Sequence, residues 1–243
     1  MILEEFIDAT NHALNPEALF RIFIGKLETM GFDRVVYSYM TDSPLLKKKA
    51  EHGVVRNYPE DWMKYYGEKN YINYDPVYRT ALVTRRPFSW KELMERQNLN
   101  RKQKKVMSEA EEAGLKDGVA LSIHGPMGET IGIGLASSMG GVDVSKNALS
   151  RIYLMAHQFH LCYSAFLADD FPFPLQTEEI LSDRERDILI WCAKNKSTSS
   201  ISGFLGVTDK TIEFHLGNIY KKLQVGGRIE AVLKAFHLGL ISL

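Results

Sequence analysis

Two groups of residues in this 243-residue chain carry side chains that could do chemistry. The first is Tyr58, Trp62, Tyr66, Asp75 and Trp90. An ionised aspartate only accepts hydrogen bonds, an indole only donates, and a phenol does both, so such a set can fix the polar end of a small molecule. The same residues also read as plain core aromatics, with Asp75 capping a helix ahead of Pro76. The second group lies where Ile212, Leu216, Ile219 and Leu223 stand at i, i+4, i+7 and i+11, which makes one buried helical stripe. The opposite face then carries Lys210, Glu213, Phe214, Gly217, Asn218 and Lys221. That mixture can meet phosphates and base edges if the helix enters a DNA major groove, with Gly217 allowing close approach, or it is an ordinary solvated face. His124, His157, His160 and Cys162 do not add up to a catalytic or metal site. His157 and Cys162 are not spaced to share a helical face, and His160 and Cys162, two apart, point different ways. An enzyme is therefore not expected.

The elements that must position these residues fall into two regions. Composition is that of a globular protein, 45% hydrophobic and 25% charged, and thirty basic residues balance thirty acidic ones, so bulk charge selects no partner. Two cysteines, far apart, supply neither a disulfide framework nor a four-cysteine zinc site. The start MILEEFIDAT is acidic where a secretory signal is basic, and no stretch approaches the roughly 18 consecutive apolar residues of a membrane span. These features lead us to expect a soluble cytoplasmic protein with no membrane partner.

Helical spacing (Phe6, Ala9, Ala13; Leu19, Phe23, Leu27) predicts two helices up to Gly31, the second opened by Asn15-Pro16. Arg34 to Met40 reads as a strand whose alternation puts Val36, Ser38 and Met40 on one face, lining a core or a cavity. Short helices follow at Tyr58–Tyr66 and from Pro76 to Leu82, then a break at Pro87-Phe88-Ser89-Trp90. Asn100 to Ala113 is helical and stops at Gly114. Gly118–His124 and Thr130–Ser138 flank Gly125-Pro126-Met127-Gly128 as an antiparallel hairpin, and a long helix runs from Lys146 to about Ala168. Its apolar density suits packing on a sheet and on a partner, so Leu149 to Phe166 is the expected dimer surface. Asp169–Thr177, with two prolines and no periodicity, is a linker.

Beyond Ser182 strand signals vanish. Ser182 and Glu185 form a capping box, Asn195 can stop the helix in left-handed geometry, a short helix starts near Ser197 or Thr198, and Gly206-Val207 turns into Thr208, the N-cap of the striped helix. From Gln176 onward there are nine basic and eight acidic side chains, so electrostatics alone do not announce a DNA binder.

The run LSDRERDILIWCAKNKSTSSISGFLGVTDKTIEFHLGNIYKKLQV, followed by Arg228, Ala231 and GLI, resembles the helix-turn-helix of LuxR-type transcription regulators. The order and spacing of Asn57-Tyr58-Pro59, Trp62, Tyr66, Asp75-Pro76, Trp90, Gly114-Leu115 and Gly118 resemble the acyl-homoserine-lactone-binding domain of the quorum-sensing members. The strand and helix order does not fit a phosphorylated receiver domain instead. The resemblance implies an α+β chain: an N-terminal α-β-α sandwich with an antiparallel sheet over 1–168, a linker over 169–178, and an all-α four-helix helix-turn-helix domain over 179–243. It implies that Asp75 takes the ligand amide N–H, Trp62 the lactone carbonyl and Tyr58 the acyl-side carbonyl region, with Tyr66 and Trp90 as walls and Val36, Ser38 and Met40 along the acyl channel. Where the family often has a serine or threonine on the last strand, the match here is Leu135. It places Lys210, Thr211, Glu213, His215, Gly217, Asn218, Lys221 and Lys222 near DNA, with Phe214 on the same face, and keeps Glu185 and Leu189 as scaffold. Two departures are Asn195 for a usual glycine and Ser200 for a usual glutamate. The implied partners are an acyl-homoserine lactone, double-stranded promoter DNA, a second copy of the chain and RNA polymerase, with no cofactor beyond the signal. A regulator of the same family answering to another small molecule, or binding DNA without ligand, is the other reading of these residues.

Overall fold

The computed structural model describes residues 3–43, 46, 48–125, 128–167 and 181–242. Ala168, the linker expected at 169–178, and Pro126 and Met127 of the hairpin turn lie outside the described residues. The chain divides into an N-terminal and a C-terminal compact unit.

In the N-terminal unit, helices α1 (Leu3–Asn11) and α2 (Pro16–Glu28) are separated where Asn15 caps the second one by accepting the Ala18 N–H at 2.8 Å. Strand β1 (Arg34–Tyr39) is followed by β2 (Glu51–Arg56), α3 (Glu60–Glu68), a 3-10 turn (Tyr71–Asn73) and α4 (Pro76–Ala81). Then come β3 (Phe88–Ser89), α5 (Trp90–Arg96), α6 (Arg101–Glu112), β4 (Asp117–His124), β5 (Thr130–Ser137) and α7 (Lys146–Leu167). The five strands form one antiparallel sheet in the order β2-β1-β5-β4-β3. Because side chains alternate along a strand, each strand feeds two layers. Val35, Tyr37, Tyr39, Val119, Leu121, Ile131, Ile133 and Leu135 pack against α1, α2 and α7 through Phe6, Phe23, Ile152 and Phe159. Val36, Met40, Ala120 and Ala136 face the other way, under Trp62 and Tyr66 of α3, Ala81 of α4, Trp90 of α5 and Val106 of α6. The sandwich expected from the resemblance is this three-layer arrangement.

Neither β2 nor α5 is expected from the sequence, and the break expected at Pro87-Phe88-Ser89-Trp90 holds β3 and the first residue of α5. Both strands are sheet edges: β2 buries only Gly53 fully, and β3 is two residues long. A strand with as little burial as β2, or one as short as β3, leaves a weak period-2 signal. The remaining elements coincide with their expected spans to within a few residues, and Gly31 and Gly114 adopt the positive φ (90° and 87°) that let α2 and α6 stop where they do.

The C-terminal unit is all helical: α8 (Asp183–Ala193), α9 (Thr198–Leu205), α10 (Asp209–Leu223) and α11 (Arg228–His237). The Ser182–Glu185 capping box is formed in both directions, Asn195 has φ 55°, Gly206 ends α9 at φ 65°, and Thr208 caps α10 by accepting the Thr211 N–H. Ile188, Leu189 and Cys192 of α8, Ile201 of α9, the α10 stripe, and Ala231 and Ala235 of α11 close one small core. At the serine-for-glutamate departure, Ser200 is exposed and its Oγ sits 2.9 Å from Ser197 Oγ at the N-terminus of α9.

Candidate ligand-binding cavity and nucleic-acid interface

Between the sheet and α3–α6 lies a cavity with about 660 Å³ of empty space, its mouth included. Its lining joins Val36, Ser38 and Met40 of β1 to Tyr58, Trp62, Tyr66, Asp75 and Trp90, so eight of the nine expected ligand residues meet at one site. Asp75 does two jobs. Its Oδ1 caps α4, accepting the backbone N–H groups of Val77 (2.7 Å) and Tyr78 (3.2 Å), and its Oδ2 accepts the Tyr66 hydroxyl at 2.9 Å. A carboxylate offers about four lone-pair sites, so one stays open on Oδ2. Burial raises the Asp75 pKa above the ordinary carboxylate value, with the Tyr66 hydroxyl and the two backbone N–H groups opposing it. The helix-cap reading thus holds for this residue, and the carboxylate keeps one acceptor site beyond the cap.

Around that acceptor are donors without partners. Trp90 Nε1 is buried and makes no hydrogen bond among the described residues, and neither Trp62 Nε1 nor Tyr58 Oη makes one. The rest of the wall is apolar: Val77, Ala81, Val106, Met107, Ala110 and Leu115. One acceptor, several donors and an apolar slot can hold a molecule that has an N–H, carbonyl oxygens and a hydrocarbon tail.

Leu135 is the exception. It pairs with Val35 and Val119 and points into the α1/α2/α7 core, fully buried. The positions of β5 on the cavity side are Gly132, Gly134 and Ala136, one residue out of phase with the expectation. A one-residue error in register reverses the face of every side chain in a strand. No side chain can replace these glycines without movement: a Cβ on Gly132 would come within 2.6 Å of Met40 Sδ, and one on Gly134 within 2.9 Å of Val36 and 3.1 Å of the Tyr58 hydroxyl. The sequence reading also missed His52 and Tyr78 as lining residues. His52 sits on the overlooked β2, and the only available signal was the Val54-Val55 pair beside it.

On α10 the buried stripe is as expected, Ile212, Leu216, Ile219 and Leu223. Lys210, Glu213, Phe214 and Lys221 are exposed, and Thr211, His215, Gly217 and Asn218 are half-buried beside them. Phe214 is 66% exposed, a large apolar side chain with no core to serve. A Cβ on Gly217 would meet nothing within 4 Å, so packing inside this unit does not require glycine there. Lys222 has a structural contact as well: its ammonium lies 2.7 Å from Glu185, whose side chain is 4% exposed and also accepts the Ser182 N–H at 2.8 Å. Burial raises the Glu185 pKa, but the Lys222 contact and the Ser182 N–H more than offset it and hold the carboxyl below its ordinary value. Lys222 is thus a tie between α10 and α8.

Comparison with known proteins accounts for both units. Residues 15–163 match the family model described as "Autoinducer binding domain", and residues 179–235 match "Bacterial regulatory proteins, luxR family". The chain is 30% identical over 241 residues to the transcriptional activator protein AnoR of Acinetobacter nosocomialis, covering 98% of each. It is also 30% identical over 244 residues to the HTH-type quorum sensing-dependent transcriptional regulator RpaR of Rhodopseudomonas palustris, covering 98% of this chain and 94% of that one. The fold is that of Escherichia coli SdiA, with TM-score 0.68 at 19% identity over 99% of this chain and 98% of that one. A second SdiA structure, in complex with octanoyl-rac-glycerol, aligns with TM-score 0.66 at 18% identity over 98% and 94%. Among the described residues no helix is long and apolar enough to cross a membrane. With both family models matched in order and relatives 30% identical along nearly its whole length, the chain belongs to the LuxR family of bacterial transcription regulators.

Proposed function

We propose that the protein is a quorum-sensing transcription factor: residues 1–168 bind an acyl-homoserine lactone, 169–178 link, and 179–243 bind promoter DNA, with two copies joined through the outer face of α7. The observation that carries the ligand is the open lone pair on a buried Asp75 carboxylate, set among the unpaired N–H and O–H groups of Trp62, Tyr58 and Trp90 in an otherwise apolar cavity. An acyl-homoserine lactone supplies the complementary set, an amide N–H, two carbonyls and an alkyl chain. The exposed Leu154 and Leu161 on α7 support the dimer, whose two-fold axis would set two α10 helices on a pseudo-palindromic site. Such a protein acts in the cytoplasm, with RNA polymerase as its further partner, and performs no catalysis.

The test is a gel shift of operator-selected DNA by the purified full chain, with and without a panel of lactones. A shift that appears only with one lactone is the expected result. A second reading, that the signal is another acyl compound, is favoured by the octanoyl-rac-glycerol held by SdiA. An acyl glycerol has no amide N–H to give Asp75, so a response to 1-octanoylglycerol that survives Asp75→Asn would select this second reading. A shift indifferent to every compound would leave only the DNA-binding half.

A further inference from the structure

The cavity contains a polar side chain to which neither the lactone amide nor the lactone ring lays claim. His52 lines it from β2, stacked on Tyr66 with ring centroids 5.0 Å apart, and Tyr78 meets it edge-on at 5.8 Å. Its Nδ1 is 2.9 Å from Ser38 Oγ, and that oxygen also accepts the Gly53 N–H at 2.9 Å. Nε2 makes no hydrogen bond among the described residues. Burial, helped by the nearby Arg56 charge, pushes the His52 pKa down to about 4, so the ring is neutral near pH 7. With one Ser38 lone pair occupied by Gly53, the serine hydrogen can go to Nδ1, which leaves the ring proton on Nε2 as a donor. If instead Nδ1 donates to Ser38, Nε2 is an acceptor.

The position of this nitrogen along the ligand follows from Tyr66. That residue donates to Asp75, the proposed amide acceptor, and stacks on His52, so the imidazole lies one aromatic ring from the amide. A plain alkyl chain running past it would desolvate Nε2 and pair it with nothing. An oxygen at that point on the chain would satisfy it.

We propose that His52, oriented by Ser38, is a specificity-determining residue that selects a signal carrying an oxygen, hydroxyl or keto, within the first few carbons of its acyl chain. This rests on the lactone reading of the cavity. Leaving a buried polar group unpaired is the stronger form of discrimination, so the oxygenated ligand is expected to bind about tenfold more tightly than its unsubstituted counterpart.

The probes are matched trios of acyl-homoserine lactones, unsubstituted, β-keto and β-hydroxy, at even chain lengths from six to twelve carbons. Their dissociation constants are measured on the purified full chain by calorimetric titration. The expected result is a preference for one or both oxygenated forms at the best chain length, reduced to about parity in His52→Leu and weakened in Ser38→Ala, which keeps the imidazole but removes its orienting partner. Unsubstituted lactones binding as tightly as oxygenated ones in the wild-type chain would overturn the inference and leave the lactone reading standing, whether or not the variants fold. So would a preference that persists in a folded His52→Leu. If no lactone of any kind binds, both readings fail together.

Discussion

Asp75 is part of the scaffold, as the cap of α4, and the proposed function adds a receptor role to the same side chain. Because Oδ1 accepts the α4 cap hydrogen bonds and one lone pair of Oδ2 takes the Tyr66 hydroxyl, its geometry is fixed before a ligand arrives. Asparagine caps helices as well as aspartate does, so Asp75→Asn is expected to leave the fold intact while costing ligand affinity about tenfold to a hundredfold, the range of a charge-assisted hydrogen bond. Trp62→Phe keeps an aromatic ring against Tyr66 but removes the N–H donor together with the pyrrole part of the indole, so a loss of about fivefold to tenfold is expected. Titration of the purified variants with a lactone, beside their melting curves, separates affinity from stability. The raised pKa of Asp75 adds a pH signature. The empty domain holds this proton more tightly than the unfolded chain does, so the group's contribution to stability is full below the ordinary carboxylate range and is lost as pH rises through the raised value. An amide N–H pairs with the ionised form, and ligand affinity therefore changes in the opposite sense, rising through that same window and falling below it. Asp75→Asn should remove this component of the pH dependence; a variant that retains it would show that another group is responsible.

At the scale of the element, α10 answers to two constraints that pull apart. Its core face needs Ile212, Leu216, Ile219 and Leu223, whereas nothing inside the unit needs Gly217. Glycine within a helix is less favourable than alanine by about 0.8–1 kcal/mol, so Gly217→Ala should raise the melting temperature of this unit while weakening DNA binding by crowding the groove face. Gly217→Glu should abolish DNA binding by placing bulk and charge against the phosphates, and unchanged binding would remove α10 from the groove. Lys222→Ala is expected to behave differently from Lys210→Ala or Lys221→Ala. It strands the buried Glu185 carboxylate at a cost of about 1–3 kcal/mol in stability, whereas the other two should lower DNA affinity and the steepness of its salt dependence. These distinctions separate what was legible in the sequence from what was not. Caps, the α10 stripe and the β1 alternation are local patterns, and each held because a single element's own chemistry decides it. The facing of Leu135, the tie from Lys222 to Glu185 and the place of His52 escape the sequence for non-local reasons: a strand register set by its neighbours, an ion pair between positions 37 residues apart, and an edge strand with almost nothing to bury.

At the scale of the whole molecule, a ligand-regulated factor must satisfy a condition that neither unit can meet alone. Each unit has its own core, Phe23 and Phe159 in one and Ile188 and Ile219 in the other, so each offers its proposed partner a packed body. A lactone that binds only the folded N-terminal unit stabilises it by mass action, about 2.7 kcal/mol at a hundredfold excess over its dissociation constant, and promoter DNA does the same for the C-terminal unit. Those gains by themselves are not regulation. Regulation requires a coupling free energy between the two sites, and linkage makes it reciprocal: whatever factor the lactone adds to DNA affinity, DNA must add to lactone affinity. Couplings of this kind are typically about 5- to 150-fold. The measurement is a pair of titrations on the full chain held at a concentration that keeps the oligomeric state constant, DNA with and without saturating lactone, and lactone with and without saturating DNA. Equal factors well above one are expected. If both factors are one while each ligand still binds, the signal acts on the amount of folded protein and not on its grip on the promoter, because stabilisation of the N-terminal unit is then the only effect the lactone has left.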